Sequence, residues 1–333
     1  MSECFTLKNF TLHCGVTLSE AQIVYQTYGS LNADRTNVIL YPTSYGAQHS
    51  DLDWLIRPDG ILDPTQWFVI IPNMFGNGLS TSPSNSNYGL EIWFSHFDNV
   101  RAQQQLLQEV FQIEQLALIY GWSMGAQQAY HWGALYPDRV RRIAALCGTA
   151  RTTDHNRIFL QSLYTALTAD PAWTGTRFER VPDRGFRAFA RIYASWAASQ
   201  AFYREGIYYK LGYSSLEDYL VQAWEAGYRK RDPHNLLAMI DTWLHCDVSE
   251  NPHYQGRYQA ALGAIQAITF VMPATTDLYF TPEDCAAEAA LIPNAEYHPI
   301  QSIWGHRAGN PYQNLDDAAF IRSKIQTLLK IDL

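Results

Sequence analysis

Ser123 is the residue of this chain whose surroundings point most directly to chemistry. It lies at the centre of residues 121–125, which read Gly-Trp-Ser-Met-Gly. An apolar run over residues 116–120 precedes this segment, and a helix-compatible run over residues 126–136 follows it. The pattern predicts a nucleophile elbow, a sharp strand-to-helix turn where the serine backbone is strained and flanking glycines avoid a clash. It favours Ser123 as a nucleophile over the alternative, a tight turn with an ordinary exposed serine.

A serine hydroxyl is a weak nucleophile at neutral pH, so it needs a base, and the base needs a carboxylate that orients it. Asp277 follows the apolar run 268–272 and is expected at the carboxyl end of that strand. Its alternative role is to form or cap a turn. His306 lies on a glycine-flanked loop ahead of the C-terminal helical pattern. Ser123, Asp277 and His306 come in the chain order of one class of parallel-sheet serine enzymes, and we interpret them as a catalytic triad.

Two backbone N–H groups are needed to hold the oxyanion of such a reaction. One is expected from Met124, the residue after the nucleophile. The other is expected from the loop over residues 41–47, which follows an early apolar strand. Ser44 is the best candidate there and Tyr45 the second, while the alternative for this loop is a plain connection between elements.

The composition excludes several classes of function. The chain has 333 residues, 47% of them hydrophobic, and a formal net charge of −8, so we expect a large core and no nucleic acid or anionic membrane as partner. Five scattered cysteines without a C-x-x-C pair indicate free thiols in a reducing compartment. We see no secretory signal and no apolar run of membrane-spanning length, so we expect a cytoplasmic protein.

Two weaker patterns carry no cofactor prediction. Gly76 and Gly78 follow a predicted strand, but no third glycine completes a dinucleotide-binding fingerprint. The consecutive residues 245–247, His-Cys-Asp, cannot converge on one ion, and no other cluster has the spacing of metal ligands. We therefore expect neither a metal nor a tightly bound cofactor.

The elements that must position the candidate triad read as an α/β fold. Short, nearly continuous apolar runs are typical of parallel strands buried on both faces. Helical spacing of apolar residues appears between them, as in residues 99–112, and again near the C-terminus, in residues 316–329. The predicted strands cover residues 38–41, 67–71, 116–120, 143–147, 268–272 and 296–300.

The strand pattern stops between residues 151 and 262, where segments with helical periodicity and many aromatic residues follow one another. We expect residues 1–150 and 263–333 to form the core and residues 151–262 to form a helical lid over the carboxyl ends of the strands. The alternative is a separate helical domain without a role in the site. Tyr193 and Trp196 are candidate pocket residues, although such aromatics also serve as the lid's own core.

Several segments resemble the homoserine O-acetyltransferase family, a branch of the α/β-hydrolase fold. The resemblance spans nearly the whole chain and implies an α/β-hydrolase core, a triad at Ser123, Asp277 and His306, and a serine that accepts an acetyl group from acetyl-CoA. It also implies a homodimer built by the lid helices. The matching segments are residues 25–32, 67–73 with Gly76 and Gly78, 98–103, 121–125, 167–175, 215–220 and 233–237.

The chain departs from that family where an amino-acid substrate would be held. The family has Gly where Trp122 and Ala126 stand here, and an Asp directly after the catalytic His, where this chain has Arg307. A fixed positive charge at that position would repel an ammonium group. The family's arginine after a lid tyrosine is also missing, because Tyr193 is followed by Ala194. These departures argue against homoserine as acceptor.

These observations favour a serine-nucleophile acyl-transfer enzyme that acts on an ester, a thioester or a related carbonyl compound. The alternatives are an O-acetyltransferase that uses acetyl-CoA or another acyl-CoA as co-substrate, and a non-catalytic binding protein that kept the fold. The expected partner is a small acyl substrate. The candidates for its pocket are Tyr45, Trp122, Tyr193, Trp196 and Arg307.

Overall fold

The computed structural model describes residues 2–331, and its centre is an eight-stranded sheet. The strands lie in the order β1-β2-β4-β3-β5-β6-β7-β8. The pairs β1–β2 and β2–β4 are antiparallel, and all other pairs are parallel. The predicted α/β fold with a mostly parallel sheet is thus confirmed. The strands are β1 Glu3–Thr11, β2 Thr17–Tyr28, β3 Val38–Leu40, β4 Phe68–Pro72, β5 Leu118–Trp122, β6 Arg142–Leu146, β7 Ile268–Met272 and β8 Ala295–Tyr297.

Helices cover both faces of the sheet, which explains why its central strands are apolar throughout. Every residue of β3, β4 and β6 is buried. Alternate residues point to opposite faces, so Leu40 packs in one hydrophobic cluster and Ile39 in another. The helices of the core are α1 His96–Glu109, α2 Met124–Leu135, α10 Tyr258–Gly263, α11 Pro282–Ala289 and α12 Leu315–Lys330.

The antiparallel strands β1 and β2 are absent from the sequence-based prediction. Only one face of this hairpin is covered, because Leu18, Ala21 and Ile23 of β2 are buried while the residues between them are exposed. A half-buried strand alternates apolar and polar residues and lacks the continuous apolar run by which the central strands are recognised.

The region between β6 and β7 is helical, as predicted. The helical pattern over residues 215–228 corresponds to three consecutive pieces, which are α7 (Leu216–Tyr219), a π-helical segment (Leu220–Glu225) and α8 (Ala226–Tyr228). The helices of this region are α3 Asp154–Thr168, α4 Asp183–Ala197, α5 Gln200–Arg204, α6 Ile207–Lys210, α7 Leu216–Tyr219, α8 Ala226–Tyr228 and α9 Pro233–Leu244.

The two ends of this helical region meet at the sheet. Arg151 and Asp247 form an isolated antiparallel bridge. On either side of it, Thr152 donates its N–H to the Cys246 carbonyl at 2.9 Å and Val248 donates to the Ala150 carbonyl at 3.0 Å. We call this pairing the lid stem.

The chain after the lid stem returns to the core. Ala261 and Leu262 of α10 belong to the hydrophobic cluster that contains Trp132 of α2. The division at residue 262 stays a prediction, and these contacts lead us to propose a boundary near Asp247 instead.

Within residues 2–331, none of the helices has both the length and the apolar character needed to cross a bilayer. All five cysteines are unpaired, and Cys147, Cys246 and Cys285 are buried. The homodimer through the lid stays a prediction.

Candidate active site

Ser123 lies at the turn between β5 and α2 in a backbone conformation that few residues adopt. Its φ and ψ angles are 58° and −125°, which is a strained region for a residue with a Cβ atom. The neighbouring strand holds this turn in place, because Ser123 donates its N–H to the Leu146 carbonyl at 2.9 Å. The first turn of α2 holds it from the other side, since Ala126 donates to the Ser123 carbonyl at 2.8 Å.

The two glycines of the elbow have the steric role that the sequence pattern indicates. A Cβ atom on Gly121 would lie 2.6 Å from the Gly125 carbonyl carbon and 2.7 Å from the Ala126 Cα. A Cβ atom on Gly125 would lie 2.7 Å from the Pro42 carbonyl oxygen. A side chain at position 121 would therefore force β5 and α2 apart, and one at position 125 would push α2 away from the loop after β3.

The structure brings Asp277 and His306 into direct contact. The His306 Nδ1 lies 2.7 Å from Asp277 Oδ2, and both side chains are buried. The other carboxylate oxygen, Oδ1, accepts N–H groups of Tyr279 at 2.8 Å and Phe280 at 3.3 Å. An ionised carboxylate can only accept, so Nδ1 carries the proton and Nε2 is left as the basic nitrogen.

Aromatic rings hold the His306 imidazole beside the elbow. It stacks on the indole of Trp122, the residue before Ser123, with ring centroids 5.2 Å apart and an interplanar angle of 27°. The Trp122 Nε1 donates to the His306 carbonyl at 3.3 Å. The Tyr279 ring meets the imidazole edge-on at 4.7 Å. His306 is thus fixed both to Asp277 and to the residue next to the candidate nucleophile.

The 3₁₀ turn Gly305–Gly309 that carries His306 lies against the lid and against the loop that carries Asp277. Gly305 has a φ of 62°, and a Cβ atom there would lie 2.8 Å from the Ala197 carbonyl oxygen. Its N–H donates to the Thr276 hydroxyl at 3.1 Å. The Ser199 hydroxyl donates to the Ile303 carbonyl. Lid and core therefore both determine where His306 lies.

The oxyanion-hole candidates lie next to the elbow. Met124 is the first residue of α2 and is buried. The buried Ser44 donates its hydroxyl to the Trp122 carbonyl, which ties the loop after β3 to the end of β5. Their roles as N–H donors stay predictions.

A cavity of about 260 Å³ lies between the core and the lid. Two of the five pocket candidates, Tyr45 and Trp122, line it. Tyr193 lies directly behind the cavity wall, because its ring stacks on Tyr45 with centroids 5.7 Å apart. Trp196 lies further away and is parallel to the Tyr279 ring at 6.2 Å. Lining residues that sequence reasoning missed are Asn310 of the core and Trp224, Tyr228 and Arg231 of the lid.

Arg307 does not line this cavity. Its Nη1 donates to the Tyr219 hydroxyl of the lid at 2.9 Å, and its guanidinium lies 5.5 Å from the centre of the Trp304 ring. The prediction that its charge faces the substrate therefore lacks support from this geometry. The side chain instead joins the turn that carries His306 to the lid.

Cys147 is a further residue near the site that sequence reasoning missed. Its Sγ, a carboxylate oxygen of Asp277 and a ring nitrogen of His306 all lie within 4.8 Å of one another. These three are the group within residues 2–331 whose donors are close enough to share a metal ion. The Nδ1 of His306 is already engaged by Asp277, so this arrangement fits an acid–base pair better than a metal site.

Comparisons with known proteins agree with this architecture. The α/β-hydrolase fold family matches residues 57–302. An ethyl acetate hydrolase of Pseudomonas veronii is 38% identical over 323 residues, which are 94% of this chain and 92% of that protein. The crystal structure of the acetyl esterase MekB superposes with a TM-score of 0.96 at 35% identity. The superposition covers 99% of this chain and 97% of the MekB chain.

The resemblance to homoserine O-acetyltransferases is also confirmed, at lower identity. The enzyme of that name from Geobacter sulfurreducens is 29% identical over 329 residues, 89% of each chain. The esterase relatives are thus nearer than this acetyltransferase, in line with the departures at Trp122, Ala126 and Arg307. The chain belongs to the α/β-hydrolase fold family, as a divergent relative of the homoserine O-acetyltransferases.

Proposed function

We propose that this α/β-hydrolase-fold enzyme hydrolyses small acetyl esters through a covalent acetyl-serine at Ser123. The observation that carries the proposal is the buried hydrogen bond of 2.7 Å between Asp277 and His306, beside the strained serine. Two relatives whose names specify acetate or acetyl esters support the choice of acyl group.

In the first half of the reaction, the Ser123 hydroxyl attacks the ester carbonyl and His306 Nε2 takes its proton. Asp277 holds the imidazole in the tautomer that makes this transfer and stabilises the imidazolium that results. The tetrahedral intermediate then collapses, the bond to the alcohol oxygen breaks, and His306 returns the proton to that oxygen. The alcohol leaves and the acetyl group remains on Ser123.

In the second half, water takes the place of the alcohol. His306 accepts a proton from the water as it attacks the acetyl-serine carbonyl, and returns it to the Ser123 oxygen when the bond breaks. We assign the backbone N–H groups of Met124 and Ser44 to the oxyanion in both halves. Each such donor contributes roughly 3–4 kcal/mol to stabilising the transition state.

The cavity lined by Trp122, the residue before Ser123, is backed by packed aromatic rings. Tyr45 lines the cavity wall, and Tyr193 backs it through a stacked pair. Behind Tyr193, the rings of Phe159 and Tyr279 continue the packing at 5.4 Å and 5.7 Å. Moving this wall to admit a longer acyl chain would disturb several close-packed rings.

A serine-directed fluorophosphonate probe tests the nucleophile. We expect the wild type to be labelled and Ser123→Ala to lose both labelling and ethyl acetate hydrolysis. Ser162→Ala is the matched control, because its hydroxyl only donates to the Ile158 carbonyl within α3. Equal labelling of wild type and Ser123→Ala would exclude Ser123.

Transfer of acetyl from acetyl-CoA to an alcohol is the second candidate, favoured by the relationship to homoserine O-acetyltransferases. Both reactions share the acetyl-serine, and they differ in whether water or an alcohol removes the acetyl group. Steady-state release of CoA that depends on an added alcohol would support transfer. Ester hydrolysis that no added alcohol alters would support the hydrolase.

A further inference from the structure

Cys147 occupies a central place between the elbow and the acid. It follows β6, which lies in the sheet between β5, with the elbow at its end, and β7, which leads to Asp277. Its N–H donates to the Met272 carbonyl of β7 at 3.1 Å, and the preceding residue, Leu146, accepts the N–H of Ser123. The backbone around Cys147 thus connects both halves of the proposed machinery.

The backbone of Cys147 is strained and its side chain is buried. The φ angle is 46°, in the left-handed region that few residues other than glycine adopt. A relative exposure of 0% leaves the thiol out of contact with solvent. Strained residues of this kind persist where the surroundings fix them, and they gather at functional sites.

Gly309 makes room for this thiol. A Cβ atom on Gly309, at the end of the turn that carries His306, would lie 2.7 Å from the Cys147 Sγ and 2.8 Å from the Trp122 Nε1. The missing side chain lets the turn close onto Cys147 and Trp122 together. The sulfur is therefore packed against the backbone that carries the base.

The thiol is held in its neutral form, as a donor. Burial raises the pKa of Cys147 well above its usual value, and the neighbouring Asp277 charge raises it further. A neutral, buried thiol is a poor nucleophile, so Cys147 is no second attacking group. Its S–H is a weak hydrogen-bond donor. It donates to the Met272 carbonyl, 3.9 Å from Sγ, and a carboxylate oxygen of Asp277 lies within 4.8 Å of the sulfur.

We propose that Cys147 is a positioning residue for the Asp277–His306 pair. Its thiol fills the space beside the carboxylate. Its S–H, shared with the Met272 carbonyl, adds to the N–H groups of Tyr279, Phe280 and His306 that the carboxylate accepts, so that Oδ2 stays aligned with Nδ1. This inference rests on the function proposed above. It adds Cys147, the residue after β6, to the proposed active site, in addition to Ser123, Asp277 and His306.

The test compares Cys147→Ala and Cys147→Ser with the wild type. Alanine removes the donor, which concentrates the carboxylate charge on the imidazole and favours its protonated form. We expect the acid limb of the kcat/KM profile for ethyl acetate to move to higher pH by about 0.5 units, with kcat reduced about 10-fold and KM little changed. Serine restores a donor, so its limb should lie at or below that of the wild type.

A second readout does not depend on activity. The proton between Nδ1 and Asp277 should give a downfield ¹H NMR resonance, and its shift should differ between the Ala and Ser variants. Cys246→Ala is the matched control, because that thiol is also buried but donates to the Ala150 carbonyl of the lid stem at 3.7 Å. It should alter stability alone.

Two results would overturn the inference. One is an acid limb and NMR resonance of Cys147→Ala that match those of the wild type. The other is a Ser variant that shifts in the same direction as the Ala variant, because then volume and not the donor matters. Hydrolysis that survives in Ser123→Ala would instead reject the proposed function, so the two failures are distinguishable.

Discussion

The lid consists of two parts that pack against different pieces of the core. The first lid cluster joins α3, α4 and α9 through the buried rings of Phe159, Tyr193 and Trp243, and it packs on Tyr45 and Met124 near the cavity. The second lid cluster has at its centre the buried residues Ala198, Phe202, Ile207 and Tyr219, and it packs on Ile303 and Trp304. One part therefore borders the cavity, and the other borders the loop that carries His306.

The two clusters also differ in how they hold the core. Contacts of the first cluster with the site are mainly ring against ring, such as Tyr193 on Tyr45. The second cluster adds polar contacts to the turn of His306: Arg307 donates to Tyr219, and Ser199 donates to Ile303. We infer that the first cluster sets which acyl group fits and that the second sets where the imidazole lies. Substitutions in or beside each cluster test this division, and one substitution beneath the lid stem tests a contact outside both.

The largest effect is expected from Gly305→Ala, where the His306 turn meets residues 197–199, the segment that enters the second lid cluster at Ala198. The new methyl group would meet Ala197 and Ser199 at 2.8–2.9 Å in a backbone with positive φ, so the turn must move. Since a displacement of about 1 Å in a catalytic group costs on the order of 100-fold, we expect at least that loss in kcat, measured with ethyl acetate.

Gly212→Ala is the control for Gly305→Ala. Gly212 also has a positive φ, 95°, but a Cβ atom there would have open space around it. It should lose stability and keep its turnover. An equal loss of turnover in the two variants would show that backbone strain, and not the contact with the lid, determines the effect.

Tyr193→Leu tests the first lid cluster. Losing the ring behind Tyr45 opens space along the cavity wall, so longer acyl chains should fit better. Because each methylene in an apolar pocket changes the rate 10-fold or more, we expect the ratio of kcat/KM for butyrate over acetate esters to rise about 10-fold. An unchanged ratio would show that the first lid cluster does not determine which acyl chain the enzyme accepts.

Tyr219→Phe removes only the hydroxyl that accepts from Arg307. The His306 turn loses one anchor. Since a typical hydrogen bond contributes about 1 kcal/mol, we expect kcat to fall about 3–10-fold. The butyrate-to-acetate ratio should stay as in the wild type, which separates this variant from Tyr193→Leu. Tyr209→Phe, at an exposed tyrosine of α6, serves as control and should behave as the wild type.

The smallest effect on turnover is expected from Glu288→Gln, beneath the lid stem. Glu288 accepts the Ala150 N–H at 2.7 Å and the Tyr258 hydroxyl, and burial raises its pKa to about 8. Between pH 4.5 and 8 the folded protein keeps a proton that the unfolded chain releases, so stability falls as pH rises. The Tm of the wild type should therefore decrease from pH 5 to pH 8 more than that of Glu288→Gln. Parallel curves would contradict this role.

The sequence predicts the centre of the fold because the signal there is local. A parallel strand covered on both faces must be apolar throughout, and the elbow needs its glycines within five residues. The positions of Asp277 and His306 are predictable for the same reason, because each follows a short segment that the sequence predicts as a strand. The hairpin of β1 and β2 is less readable because exposed residues interrupt its apolar pattern.

Contacts between distant segments were not predictable in this way. The partner of Arg307 is 88 positions away, on a helix that the sequence pattern merges with its neighbours. The strain at Cys147 depends on how two adjacent strands end, and no residue type signals it. Arg307 was therefore expected to face a substrate, and Cys147 was expected to be an ordinary free thiol.

The lid stem has a consequence for how this protein could change. Because the bridge between Arg151 and Asp247 brings the two ends of the helical insert together, the segment between them can be exchanged as one cassette without altering the order of the sheet strands. Such a graft would keep Ser123 and Asp277 on the core while replacing the part of the cavity wall that the lid supplies. It would also remove the helices that contact the turn carrying His306. A functional replacement must therefore supply an acceptor for Arg307 in place of the Tyr219 hydroxyl.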